Sequence, residues 1–183
     1  MIYLIGGASR SGKTSLTLRL LEEKSIPYLS TDVLMMGLRG VGYSEYANEQ
    51  DDIEVAKHLE NIMAPMIENL RYCGVPYALE GVHIRPAFIR AMMEEVPDTV
   101  KGCILGYPDI SLDQKLKDMH THAAIANNWL MGEEPEYQRQ HLGRHLEISK
   151  LDRRDAKIAD VAYFNTGERY DEILEEAFKH LVG

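Results

Sequence analysis

The chain has 183 residues, enough for one domain with a substantial buried core. Its hydrophobic content of 45% and charged content of 27% are those of an ordinary soluble globular protein. The formal net charge of -9 argues against non-specific binding to nucleic acid or anionic membranes, so any bound anion must meet a local positive site.

Ile2-Tyr3-Leu4-Ile5 is a short apolar run of β-favouring residues and predicts the first strand. It leads into Gly7-Ala8-Ser9-Arg10-Ser11-Gly12-Lys13-Thr14, which reads G-x-x-x-x-G-K-T, the Walker A or P-loop pattern. A helical segment, Ser15 to Lys24, follows, as that pattern requires. The residue types suit a triphosphate. Backbone N–H groups at a helix N-terminus can cradle the phosphates, and the helix dipole adds positive potential. Gly7 and Gly12 permit backbone angles that a Cβ would forbid. Lys13 can reach the β- and γ-phosphates, and the Thr14 hydroxyl can ligate a nucleotide-bound Mg²⁺. The nucleotide-binding candidates are therefore Gly7 through Ser15: Gly7, Ala8, Ser9, Arg10, Ser11, Gly12, Lys13, Thr14 and Ser15. A glycine-rich turn with a stray lysine is the plainer alternative. The spacing does not fit the dinucleotide fingerprint G-x-G-x-x-G, which disfavours a dehydrogenase.

Pro27 and Tyr28-Leu29 predict a second strand ending at Ser30-Thr31-Asp32. Asp32 then sits at the carboxyl edge of the sheet, where ligands bind, or simply caps the next helix. Met36 to Tyr46 carries Gly37, Arg39, Gly40 and Gly42 and reads as a flexible loop, able to clamp an acceptor or plainly on the surface. Asp51 to Cys73 reads as a long amphipathic helix with Pro65 inside it and Gly74 ending it. Val75 to His83 is a third strand and its exit. Glu80 at the strand end is a second carboxylate, near the metal or facing solvent at the rim. His83 and Arg85 follow, and Pro86 opens another helix at the favoured first position.

Val100 to Gly106 predicts a fourth strand. Ser111 to Leu130 and Glu136 to about Asp160 read as polar helices joined by an acidic turn. They look like a lid arm spanning about residues 111–160, whose Arg139, Arg144, Arg153 and Arg154 could close over phosphate, or like a solvated helical pair. His120 and His122 share no helical face, which makes a metal site there improbable. His141 and His145 read as surface residues. Val161 to Asn165 is a fifth strand, Thr166-Gly167 a turn, and about Glu168 to Val182 the last helix. Cys73 and Cys103 have no metal or redox spacing and read as small core residues in a reducing compartment. The N-terminal apolar run is too short for a signal peptide, and no stretch reaches the length of a membrane span, so the expected location is cytoplasmic.

Alternating strands and helices imply an α/β fold, a parallel sheet with helices on both faces, in one domain over residues 1–183. With a P-loop on the first strand and an acceptor loop after the second, the chain resembles the small P-loop kinases of the adenylate-kinase-like group, which includes nucleotide, shikimate and gluconate kinases. That resemblance implies a P-loop NTPase fold, a five-stranded sheet in the order 2-3-1-4-5. Gly6 to Thr14, Ser30-Thr31-Asp32 and Glu80-Gly81-Val82-His83 are similar to stretches of 2-phosphoglycerate kinase-like proteins. Asn165-Thr166-Gly167 lies where such kinases contact adenine, which adds Thr166 to the nucleotide-binding candidates. No N-K-x-D guanine-reading motif is present.

The activity implied is transfer of the γ-phosphoryl of ATP, with Mg²⁺, to a small hydroxylated acceptor such as a phosphoglycerate-like acid. Lys13, Asp32, Glu80 and Arg39 are the catalytic candidates. Asp32, Arg39, His83, Arg85, Arg139 and Arg144 are the acceptor-binding candidates, and Thr14 and Glu80 the metal ligands. Two other readings stay open: a nucleoside or nucleotide acceptor, and a nucleotide-binding regulatory protein with little transferase activity. Nucleic acid and membranes are not expected partners, and the sequence does not state the oligomeric state.

Overall fold

In the computed structural model, residues 1–43, 51–121 and 129–183 are described. The strands are β1 (Ile2–Gly7), β2 (Tyr28–Ser30), β3 (Tyr77–Gly81), β4 (Val100–Gly106) and β5 (Ala162–Asn165). They form one parallel sheet in the order β2-β3-β1-β4-β5. The helices are α1 (Lys13–Lys24), α2 (Thr31–Gly40), α3 (Asp52–Cys73), α4 (Pro86–Glu95), α5 (Leu112–Thr121), α6 (Pro135–Ala159) and α7 (Tyr170–Val182). A 3₁₀ turn, Trp129–Gly132, precedes α6.

The alternation of side chains along β1 divides the core. Ile2 and Leu4 point to one face of the sheet and Tyr3 and Ile5 to the other. The first pair packs with Val55, Leu59, Met63 and Ile67 of α3 and Phe88, Ile89 and Met92 of α4. The second pair packs with Leu16 and Leu20 of α1 and Ala177, Phe178 and Leu181 of α7. Because β1 is central and covered on both faces, it reads as continuous apolar sequence rather than alternating. All five strands point the same way, so their carboxyl ends share one edge, and the residues after β1, β2, β3 and β5 meet there.

Some local expectations are corrected. The segment expected as a glycine-rich loop is largely helix: α2 continues to Gly40, so Gly37, Arg39 and Gly40 are helical. Two glycines each cost a helix about 1 kcal/mol against alanine. Burial of Met35, with Leu34 and Leu38 packed on the core, offsets this. Residues 44–46 of that expected loop lie outside the described residues. Helix α3 runs through Pro65 without a break. Pro65 faces solvent, so the carbonyl its ring leaves unbonded, four residues back at exposed Asn61, lies on the water side. Cys103 is buried as expected, but Cys73 is exposed, because α3 presents its last turn to solvent.

The arm differs most. Helix α6 is not a solvated helix: it buries Gln138, His141, Leu142, His145, Ile148, Ser149, Asp152 and Ala156. Met119 of α5, Leu130 of the turn and Leu142 of α6 form a small separate apolar cluster that ties the arm together. His141 and His145 are therefore interior residues rather than surface ones. The part of the 111–130 helix that carries His122 lies outside the described residues. Among the described residues no helix is long and apolar enough to cross a membrane.

Candidate functional site

The chain leaves β1 and reverses into α1 through the phosphate loop. Gly12 is the residue before the helix, with φ 102°, in the left-handed region that favours glycine. A Cβ there would lie 2.9 Å from the Tyr170 hydroxyl. Gly7 has φ 124°, and a Cβ on it would run into the carbonyl of Leu105 on β4. The N–H groups of the first turn of α1 consequently face an open cleft with no side-chain cap. Lys13 is buried, and its Nζ donates to the Ala8 carbonyl at 2.7 Å, folded back along the loop. Burial lowers the Lys13 pKa, while the negative charge of Glu80 and Asp32 raises it.

The cleft beside this loop has a volume of about 300 Å³, the lower end of the range for ligand pockets. Arg10, Lys13, Lys115 and Arg169 bring positive charge to its lining. This is the local positive site that an acidic chain needs to hold an anion. Thr166, Gly167 and Tyr170 line the same cleft, with the Tyr170 hydroxyl donating to Ser15 Oγ at 3.2 Å or accepting from it. Thr166 is fixed by two bonds to the Gly106 carbonyl, from its N–H at 2.7 Å and its hydroxyl at 3.2 Å.

Two carboxylates enter from the neighbouring strands. Ser30 caps α2, accepting the Asp32 N–H at 3.3 Å. Asp32 is thus not the cap, and its half-exposed carboxylate lines the cleft. Glu80, at the end of β3, is only 4% exposed, which replaces the solvent-facing alternative. Its pKa is raised by burial, against the lowering effects of Lys13 and of hydrogen bonds from Ser30 and Thr14. The Glu80–Thr14 contact puts a carboxylate and a hydroxyl together at the first turn of α1, which is an oxygen donor set suited to Mg²⁺ beside phosphate.

Behind Asp32 the structure assembles a buried polar cluster from three further elements. His83 Nδ1 lies 2.9 Å from Thr31 Oγ1 and 3.6 Å from Asp32 Oδ1. Asp52, at the start of α3, lies 3.8 Å from His83 Nε2, 3.5 Å from His145 Nε2 and 3.9 Å from Arg144 Nε. Arg85 Nη2 lies 3.0 Å from Asp152 Oδ1. Burial pushes the carboxyls of Asp52 and Asp152 up to about 6, against the pull of Arg144 and Arg85 respectively. Burial also pushes His141 down to about 4, and His83 and His145 below the usual imidazole range.

These shifts oppose one another as pH falls. Unfolded histidines take up protons near 6.5 that the folded ones refuse, so acidification destabilises the fold through them. Folded Asp52 takes up a proton near 6 that the unfolded chain does not bind until about 3.9, so acidification favours the fold through it. Asp52→Asn removes that offset. Urea midpoints at pH 7 and pH 5 should differ more in the variant than in the wild type. An equal or smaller difference would show that Asp52 does not titrate in this window.

Arg39 and Arg139 do not line the cleft. Arg39 is exposed on α2, and Arg139 pairs with Asp113 of α5 at 2.8 Å. Arg153 pairs with Asp109 and Arg154 with Asp155, both at the surface. Residues that sequence reasoning missed are Lys115, Asp52 and Asp152. Lys115 is buried over the Tyr107 ring, 3.9 Å from its centroid, with its Nζ donating to the Arg10 carbonyl at 2.8 Å. Burial lowers its pKa to about 8. A lysine among charged neighbours carries no local signal of this. Asp52 and Asp152 could have been flagged only as acidic residues on the buried faces of amphipathic helices.

A parallel sheet ordered β2-β3-β1-β4-β5, with this loop after the central strand, decides the architecture. The fold is that of the small P-loop kinases. The structure is similar to the crystal structure of shikimate kinase from Bacteroides thetaiotaomicron, with TM-score 0.56 and 18% identity over 99% of this chain and 96% of that one. It is also similar to a gluconokinase from Sinorhizobium meliloti 1021, with TM-score 0.53 and 16% identity over 98% and 90%. No protein-family model matches the sequence, and no curated protein matches it. In the P-loop kinase fold the cleft after β1 lies at the switch point of the sheet, where strand order reverses to either side of it.

Proposed function

We propose that this chain is an ATP-dependent kinase that transfers the γ-phosphoryl group to a hydroxyl of a small acidic metabolite, in its finer form a phosphoglycerate-like acid. One observation carries the reading: a half-exposed carboxylate, Asp32, lines the same cleft as the phosphate loop and Lys13. A protein that only senses nucleotide needs no such base, which sets the regulatory reading second. The fold of the two structural relatives supports the proposal.

The residues fit the ligands this reaction needs. The loop amides and Lys13 would hold the β- and γ-phosphates of ATP, and Thr166 and Gly167 line the end of the cleft where its base would lie. Thr14 and Glu80 would hold Mg²⁺, which neutralises phosphate charge when bound. Asp32 takes the proton of the acceptor hydroxyl as that oxygen forms its bond to phosphorus. The bond between the γ-phosphorus and the β–γ bridging oxygen breaks, and its electron pair leaves with ADP. Lys13, Arg10 and Lys115 face the charge that shifts along this line. Arg85 and His83 lie buried behind Asp32 and pair within the chain, and Arg144 is the one of the three exposed enough to meet an acidic group on the acceptor. The partners in this reading are the nucleotide and the acceptor, without nucleic acid or membrane, and the expected compartment is the cytoplasm.

The test is a panel of hydroxylated acids, sugars, nucleosides and nucleotides screened for ATP-dependent phosphorylation. Product from an acidic metabolite supports the proposal, and product only from nucleosides or nucleotides replaces it with the second acceptor class. Binding should precede any such result. Mg-ATP at a hundredfold excess over its Kd should stabilise the fold by about 2.7 kcal/mol. Lys13→Ala should lose most of that shift. A wild-type melting curve unmoved by millimolar Mg-ATP would remove the basis of the kinase reading.

A further inference from the structure

The crest of the phosphate loop is gripped from outside by residues far away in sequence. The Ser9 N–H donates to His145 Nδ1 at 3.2 Å, and the Tyr107 hydroxyl donates to the Ser9 carbonyl at 2.7 Å. The Tyr107 N–H donates in turn to Ser149 Oγ at 2.6 Å. Ser149 lies one helical turn beyond His145 on α6, so the contacts close into a ring of Ser9, His145, Ser149 and Tyr107. Three of these residues are buried, and His145 is only 2% exposed.

We propose that His145 and Tyr107 are a positioning pair that holds the two peptide units on either side of Ser9, and through them the loop crest, in its phosphate-binding shape. This rests on the ATP-binding reading of the cleft. In a trans peptide the N–H and C=O point opposite ways, so the Tyr107 bond to the Ser9 carbonyl turns the Arg10 N–H away from Tyr107, and the His145 bond to the Ser9 N–H leaves the Ala8 carbonyl on the side where it accepts from Lys13 at 2.7 Å. The residue after Ser9 has an uncommon backbone conformation. Arg10 has φ 63°, in the left-handed region that few residues with a Cβ occupy, which is consistent with a held crest. Lys115 adds a grip on the Arg10 carbonyl.

The ring of His145 is set for this task. Accepting an amide N–H leaves Nδ1 without a proton, so the neutral ring carries its proton on Nε2. That nitrogen faces Asp52 Oδ2 at 3.5 Å, a buried carboxylate oxygen with no hydrogen-bond partner of its own among the described residues, whose charge favours a proton on Nε2. Burial keeps the ring neutral, as an acceptor must be. A histidine that only fills space in the core needs neither the tautomer nor the carboxylate.

The assignment is tested by calorimetric titration of Mg-ATP into the wild type, His145→Leu, His145→Asn and Tyr107→Phe, each first shown to be folded by circular dichroism. His145→Leu and Tyr107→Phe should each weaken binding about tenfold, the scale of one lost hydrogen bond. His145→Asn, whose side-chain oxygen can replace Nδ1 as acceptor, should recover most of the wild-type affinity. A folded His145→Leu that binds as the wild type does, or His145→Asn as weak as His145→Leu, would overturn the assignment while leaving the ATP reading standing. A wild type that does not bind Mg-ATP overturns both. Nitrogen NMR of the wild-type histidines needs no variant to fold: His145 protonated on Nε2 supports the pair, and protonation on Nδ1 defeats it.

Discussion

Asp32→Asn should lower turnover by about 10²- to 10⁴-fold and leave Mg-ATP binding nearly unchanged. The two effects separate because Asp32 and the phosphate loop come from different elements. Asp32 belongs to the first turn of α2, whose start is fixed by Ser30 rather than by Asp32 itself. The amide side chain keeps the size and the backbone N–H that Ser30 accepts, so the helix start is retained. What it loses is the ability to take a proton. Its nearest polar neighbour in the cluster, His83, does not replace it, because burial holds that ring neutral and its Nδ1 lies against Thr31. The check is a steady-state comparison on whichever acceptor the panel identifies, with ATP affinity measured directly. Unchanged turnover would make Asp32 a bystander. Loss of ATP binding together with turnover would make it part of the nucleotide site.

Asp152→Ala should destabilise the fold by about 3–5 kcal/mol at pH 7.5, the cost of stranding a buried partner charge. For a chain of this size that is a fall in Tm of roughly 10 °C. The Asp152 side chain is 1% exposed and that of Arg85 is 11% exposed, so neither can turn to water without moving α6 or the start of α4. The pair is not simply favourable. Burial raises the Asp152 carboxyl despite the guanidinium beside it, so desolvation offsets much of the attraction. The sign with pH follows. Folded Asp152 takes up a proton near 6 that the unfolded chain does not bind until about 3.9, so acidification to pH 5 adds stability through it that the variant lacks, and the substitution should be more damaging at pH 5 than at pH 7.5. Thermal melts at the two pH values measure both effects. A shift of about a degree at pH 7.5, the size expected of a surface change, would show that α6 accommodates an unpaired Arg85 freely.

Several parts of this molecule are local enough to be legible in the chain. The phosphate loop is one contiguous run, and its glycines and Lys13 are required by backbone geometry and charge that the run itself supplies. Strands β1 and β4 are short apolar runs covered on both faces. Helix α3 announces itself through spacings of three and four. Chain order from strand to helix to strand then leaves a parallel sheet as the economical arrangement. The placement of Glu80 after an apolar strand follows from the same rule, since strand ends share one edge.

Helix α6 shows where that logic stops. His141, His145, Ser149 and Asp152 form a polar stripe at helical spacing, and such a stripe reads as a face turned to water. It is turned inward, because the surface opposite is also polar: Asp52 from α3, His83 and Arg85 from the loop after β3, and the Ser9 peptide. Periodicity reports the polarity of one face and is silent about the polarity of what it meets. Lys115 is the same case reduced to one residue, since only the packing of α5 brings its ammonium to the Arg10 carbonyl. The phosphate loop, the strands and the order of elements are legible in the chain alone, because they depend on neighbours within a few residues, whereas α2 beyond Met36 is held as helix by burial of Met35, Leu34 and Leu38. Which polar groups are buried together behind Asp32 is set by the packing of the sheet and helices, because desolvation and pairing there involve residues as much as 136 positions apart.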